Sequence, residues 1–188
     1  MMPDRPEAVV IGASAGALEA LSVILPSLPG SFRIPILVVV HMPPDRRSVM
    51  AELFRAKCRL FVEEAEDKEP ISGGTIYFAP PDYHLLVEVD RTICLSSDEP
   101  VLFSRPSIDV LFESAADAYG PGLIAIVLTG ANHDGTRGLR AVLDAGGTGL
   151  VQDPREAFAS AMPESAIRTC PDARVMSLQA IAQYLEEV

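Results

Sequence analysis

The sequence predicts an α/β fold built on a parallel sheet, and three observations carry that reading. Short, wholly apolar runs at Ala8-Val-Val-Ile11, Ile36-Leu-Val-Val-Val40 and Leu123-Ile-Ala-Ile-Val-Leu128 read as strands buried on both faces, since a half-solvated strand would alternate apolar and polar residues. Segments with apolar residues at helical spacing lie between strands, which is the βαβ rhythm. Each run also leads into a small or polar cluster: Gly12-Ala-Ser14-Ala-Gly16, His41-Met-Pro, and Thr129-Gly-Ala-Asn-His-Asp134-Gly135. In open α/β sheets, binding and catalytic groups gather at those carboxyl ends.

Taken in order, the first strand runs into a helix whose Leu18, Leu21 and Leu25 recur at helical spacing. A turn at Pro26 to Gly30 precedes the second strand, Ile36 to Val40. Ser48 to Lys57 reads as a helix, Leu60 to Val62 as a short strand, and the acidic stretch Glu63 to Gly74 as a solvated loop. From Thr75 to Ser96 the pattern changes to three short strands: Thr75–Ala79, His84–Val89 and Thr92–Leu95. The last two flank Asp90-Arg91 as in a tight hairpin, so the segment is expected to be an antiparallel excursion at the sheet edge or over the cleft. A helix after Arg105-Pro-Ser presents Ile108, Leu111, Phe112, Ala115, Ala116 and Tyr119 as one apolar face. After the third strong strand, a helix from Thr136 stops at Gly146-Gly147 and Thr148–Val151 is a strand. Met162-Pro163 precedes a helix to Cys170, and a strand near Arg174–Met176 and a final helix from Leu178 complete the chain.

Composition narrows the function. A length of 188 residues suits one domain, 1–188, with a substantial core. A net charge of −11 argues against nucleic-acid binding, which needs clustered Lys and Arg. No apolar run approaches the ~20 residues of a membrane span, and no signal peptide opens the chain, so membrane insertion is not expected and a cytoplasmic location is. Cys58, Cys94 and Cys170 are odd in number and widely spaced, which disfavours both a disulfide framework and a zinc site; they read as buried small hydrophobes. No metal or cofactor is expected.

The first polar cluster fits G-x-S-x-G at a strand-to-helix turn, the nucleophile-elbow pattern that exposes a serine oxygen beside unpaired helix N–H groups. A dinucleotide fingerprint would need glycine at Ser14 and an acidic residue after the second strand, where His41 stands instead. Ser14, His41 and Asp134 thus fall at the carboxyl ends of three buried strands, supplying the nucleophile, base and carboxylate of a triad. Bland alternatives stay open: a tight corner at Ser14, a structural histidine, an Asp-Gly turn at 134–135. His84, beside Pro80-Pro81, is a candidate cleft residue whose alternative is a partly buried strand position.

The ordered succession Ile11-Gly-Ala-Ser14-Ala-Gly-Ala, His41-Met-Pro, Glu64-Ala-Glu-Asp67, Tyr77-Phe-Ala-Pro80, His84-Leu85, Arg105-Pro-Ser-Ile-Asp109, Leu128-Thr-Gly-Ala-Asn-His-Asp134-Gly135 and Met162-Pro163 resembles the catalytic domain of the CheB-type protein-glutamate methylesterases of chemotaxis. The resemblance implies a doubly wound, mostly parallel sheet with helices on both faces and an antiparallel hairpin excursion. It implies the triad Ser14, His41 and Asp134, oxyanion donors from the backbone of Ala15 and Ala131, and a cleft that includes His84, Arg105 and Met162. The implied reaction is hydrolysis of γ-glutamyl methyl esters on the cytoplasmic domain of methyl-accepting chemoreceptors, with deamidation of glutamine as a related activity. Two other readings remain, a carboxylesterase of another pathway and a catalytically weakened binding module. The family's Thr and Gly after the nucleophile are Ala15 and Ala17 here, and its Met-Gly before the acid is Ala131-Asn132. Backbone donors survive such changes, and Asn132 is expected to replace a turn glycine by adopting a left-handed conformation. The family's receiver domain has no counterpart in these residues, so control is expected from a separate partner, such as a receiver or a methyltransferase.

Overall fold

The computed structural model describes residues 5–42 and 49–188. Seven strands form one parallel sheet: β1 (Ala8–Ala13), β2 (Ile36–Val40), β3 (Phe61–Glu64), β4 (Thr75–Phe78), β7 (Leu123–Val127), β8 (Thr148–Gln152) and β9 (Arg174–Met176). Their spatial order is β3-β4-β2-β1-β7-β8-β9. The early strands build out from β1 on one side and the late strands on the other, so the order reverses between β1 and β7. That reversal opens a crevice at the strand ends, the usual ligand position in doubly wound sheets.

Alternate residues of β1 serve two cores, as expected for a strand buried on both faces. Val9, Ile11 and Ala13 pack with α1 (Ala17–Ile24), α2 (Met50–Arg55) and α6 (Leu178–Glu187). Ala8 and Val10 pack with α3 (Ile108–Tyr119), α4 (Thr136–Asp144) and α5 (Ala161–Thr169). The expected face of α3 is buried at every position. Of the face expected for α1, Leu21 and Leu25 are buried but Leu18 is exposed, and Ala17, Ala20 and Ile24 complete the buried face in its place.

Three elements differ from the sequence reading. Thr75–Phe78 is a full parallel member of the main sheet, lying between β3 and β2, so the antiparallel excursion is confined to β5 (His84–Val87) and β6 (Ile93–Ser96). That hairpin forms a separate two-stranded sheet against α3, with Leu85 and Val87 buried in the second core. Glu63 and Glu64 belong to β3, and Met162-Pro163 sits inside the first turn of α5. The helix expected over Ser48 to Lys57 begins at Met50 among the described residues; Ser48 lies outside them. Cys170 is buried, but Cys58 and Cys94 are only half-buried; all three are free thiols. Among the described residues no helix is long and apolar enough to cross a membrane.

Two close approaches prepare the site. A Cβ on Gly12 would collide with the Ile108 side chain, so this glycine lets the start of α3 rest directly on β1. Gly16, at φ +86°, occupies the left-handed region and turns the chain from the strand into α1.

Candidate active site

Strand pairing brings the first two polar clusters together. The parallel register ends at Ala13↔Val40, and the His41 N–H donates to the Ala13 carbonyl at 3.1 Å, so Ser14 and His41 are the next positions on adjacent strands. On the other side of β1 the Ser14 N–H donates to the Thr129 carbonyl at 2.9 Å. Ser14 thus sits at the switch point between the histidine strand and the loop that carries Asp134. Among the described residues its hydroxyl makes no hydrogen bond.

Asp134 is fully buried and its carboxylate is filled with donors. Oδ2 accepts from His41 Nε2 at 2.7 Å and from the Ile108 N–H at 2.7 Å. Oδ1 accepts from the Asp109 N–H at 2.9 Å and from Ser107 Oγ at 3.0 Å. The carboxylate therefore caps the N-terminus of α3, where unpaired N–H groups and the helix dipole favour negative charge. Burial alone would push its pKa up. The His41 hydrogen bond and the two N–H donors outweigh burial and hold it below the ordinary carboxylate range, so Asp134 is ionised.

A second buried carboxylate supports the first. Asp109 Oδ1 accepts from the Gly135 N–H at 3.0 Å and the Gly138 N–H at 2.7 Å, capping α4 from a neighbouring helix where the N-cap glycine has no side chain of its own. Burial pushes the Asp109 pKa up to about 6; the Gly138 N–H opposes this and the nearby Asp134 charge adds to it. In the sequence, Ser107 and Asp109 stand out only as parts of a motif. Their role comes from contacts 25 to 29 residues distant in the chain.

Thr129 ties the serine turn to the opposite loop. Its hydroxyl donates to the Ala15 carbonyl at 2.8 Å and accepts the Ala159 N–H at 2.9 Å, and its own N–H donates to buried Gln152 Oε1 at 2.9 Å. This network fixes the Ala15–Gly16 peptide, and the Ala17 N–H, donating to the Ser14 carbonyl at 2.9 Å, fixes the Ser14–Ala15 peptide before it. Among the described residues neither the Ala15 nor the Ala131 N–H has a protein acceptor, leaving both available to a developing negative charge.

The remaining cleft candidates separate. A small cleft of 90 Å³ beside His41 is lined by Met42, Asp82, Pro100, Phe103, Ser104, Arg105 and Pro106. Arg105 is therefore on the wall, but its guanidinium is committed to Asp82 Oδ1 at 2.7 and 3.1 Å and to the Ser97 and Asp98 carbonyls. His84 is not on the wall. It is only 2% exposed, accepts the Ser107 N–H on Nδ1 at 3.1 Å and donates from Nε2 to the Glu99 carbonyl at 2.9 Å. Both ring nitrogens are used, so its part is to position Ser107 behind Asp134. Met162 is also fully buried, packed under Gly130. Asn132 does not take the expected left-handed conformation. Its Oδ1 accepts the Asp134 N–H at 3.1 Å, and its Nδ2 faces His41 Nδ1 at 3.4 Å, so the side chain does what a glycine backbone could not. Exposed Phe103, with Leu102, forms the tip of a two-residue turn at positive φ; neither was singled out from sequence.

Comparison with known proteins gives the chain's family. The profile of the family described as CheB methylesterase matches residues 9–185. A protein of Leptospira interrogans, provisionally named a protein-glutamate methylesterase/protein-glutamine glutaminase, is 47% identical over 177 residues, covering 94% of this chain and 92% of that protein. Protein-glutamate methylesterase/protein-glutamine glutaminase 1 of Rhodospirillum rubrum is 35% identical over 187 residues, and the match covers 97% of this chain but 48% of that longer protein. The crystal structure of the Thermotoga maritima CheB methylesterase catalytic domain superposes with a TM-score of 0.92 at 35% identity, covering 97% of this chain and 98% of that one.

Proposed function

The chain belongs to the CheB methylesterase family, and from that premise we propose that it is a single catalytic domain hydrolysing γ-methyl esters of glutamate through Ser14, His41 and Asp134. The observation that carries the assignment is the His41–Asp134 pair at 2.7 Å, set beside Ser14 by the β1–β2 register. Because Nε2 is committed to Asp134, Nδ1 is the nitrogen left to take the serine proton. This is the reverse of the serine-protease arrangement, where Nε2 faces the serine. Triad function depends on the geometry and not on which nitrogen is used.

In this reading Ser14 Oγ attacks the ester carbonyl as its proton passes to His41 Nδ1. The oxyanion is received by the N–H groups of Ala15 and Ala131; the Ala15 N–H is held ready because the carbonyl of its own peptide, that of Ser14, accepts the Ala17 N–H at 2.9 Å. Collapse breaks the bond to methoxide, which takes the proton from Nδ1 and leaves as methanol. Water, activated by the same imidazole, then hydrolyses the acyl-enzyme. Asp134 stays ionised throughout and stabilises the imidazolium. An unsubstituted glutamine amide follows the same course with ammonia leaving, in keeping with the second activity in the relatives' names.

The substrate we assign is the methylated cytoplasmic domain of a chemoreceptor. The test compares methanol release from a methylated receptor fragment with release from small methyl esters. A large preference for the receptor fragment supports the assignment. Equal or better hydrolysis of small esters would favour a general carboxylesterase, and no release from either would favour a binding module.

A further inference from the structure

We propose that Asn132 is a positioning residue that holds His41 in its neutral, proton-accepting form and speeds discharge of the proton once the ring has taken it up. The inference rests on the triad reading above. Two contacts orient the Asn132 amide. Its Oδ1 accepts the Asp134 N–H at 3.1 Å, which fixes Nδ2 as the group facing His41 Nδ1 at 3.4 Å. The ring's other nitrogen donates to Asp134 Oδ2 at 2.7 Å. An amide N–H directed at Nδ1 is compatible only with a lone pair there, so Asn132 and Asp134 select the same tautomer from opposite edges of the ring.

The length of the Asn132 contact matters to its role. At 3.4 Å it is weak, and a closer serine O–H displaces it at little cost. After the Ser14 proton has moved to Nδ1, that nitrogen becomes a donor and meets the Asn132 N–H head to head. The ring then favours passing the proton to the leaving methoxide oxygen as the ester C–O bond breaks, which restores the lone pair. A turn alone would not require an amide here, because only Oδ1 takes part in it and an aspartate would supply the same acceptor. The amide donor is what the ring contact uses. Among the described residues the charged groups about His41 are Asp134 on Nε2, Asp109 behind it, and the Asp82–Arg105 pair on the cleft wall, none of which faces Nδ1 by hydrogen bond.

The test is the pH dependence of kcat/KM for ester hydrolysis in wild type, Asn132→Asp and Asn132→Gly. Asn132→Asp keeps the shape and the Oδ1 acceptor but turns the ring-facing donor into an acceptor, which favours the protonated ring. Its acid limb is expected to move to higher pH by about one unit or more, and that of Asn132→Gly by about half a unit. A loop-forming role would lower kcat in both without moving the limb. A limb that vanishes in His41→Gln yet superimposes on wild type in Asn132→Asp overturns this inference alone. A limb that persists in His41→Gln overturns the triad reading and this inference with it. If Asn132→Asp does not fold, Asn132→Gly carries the decision, and an unmoved limb there counts against the proposal.

Discussion

Replacing Asp109 by asparagine should flatten the pH dependence of stability. The carboxylate is almost wholly buried, on the residue whose own N–H donates to Asp134, and its pKa is pushed up to about 6. In the unfolded chain the same group titrates near ~3.9. Between those values the folded protein binds more protons than the unfolded one, so stability falls as pH rises through this window. From pH ~4.5 to ~8 the two titration curves enclose about 1.4 pH units, or about 2 kcal/mol of lost stability. An asparagine amide at this position would keep an oxygen to accept the Gly135 and Gly138 N–H groups but would not titrate. Urea denaturation of both proteins at several pH values isolates this contribution, because other titrating groups are common to both. The stability of Asp109→Asn relative to wild type should rise by about 2 kcal/mol between pH ~4.5 and ~8. Parallel curves would show that the two N–H donors fully offset burial, and the assigned direction would be wrong.

Asp134→Asn should retain the fold but present the wrong tautomer of His41, lowering kcat by about 10⁴-fold, as for the corresponding change in serine proteases; steady-state methanol release checks this, with exposed His133→Gln as a control that keeps its rate. Leu102 and Phe103 occupy left-handed conformations at φ 48° and 64° in a turn closed by reciprocal Val101–Ser104 hydrogen bonds, a geometry suited to Asn-Gly. The double change Leu102→Asn, Phe103→Gly should therefore stabilise the protein by about 1–3 kcal/mol, read as a rise in Tm, and unchanged or lowered Tm would mean that packing at the tip compensates the strain.

Much of the sheet was legible because residues buried on both faces leave unbroken apolar runs, as at Val9–Ile11, Ile36–Val39 and Leu123–Val127. Thr75–Phe78 was misplaced because its crossover from β3 runs through the acidic loop without a helix, so the usual mark of a parallel connection is missing. Leu18 misled for another reason: small Ala17 and Ala20 face the sheet and are buried in its place. At the site, Ser14, His41 and Asp134 could be read because each follows a recognisable strand. The supports could not. Ser107 and Asp109 look like a helix start, and their service to Asp134 and α4 exists only once α3 rests on Gly12. His84 shows the converse error: a histidine near prolines suggests a cleft, while its buried ring is fully spent on two backbone groups. Asn132 was read through its backbone tolerance, whereas its side chain reaches both Asp134 and His41.

The most direct test of the proposed chemistry is methanol release from a methylated receptor fragment by Ser14→Ala beside wild type. The Ser14 hydroxyl makes no hydrogen bond among the described residues, so its removal should leave thermal stability nearly unchanged. Loss of the nucleophile should cost at least ~10³-fold in rate. A folded Ser14→Ala protein that releases methanol at the wild-type rate would contradict the account at its centre.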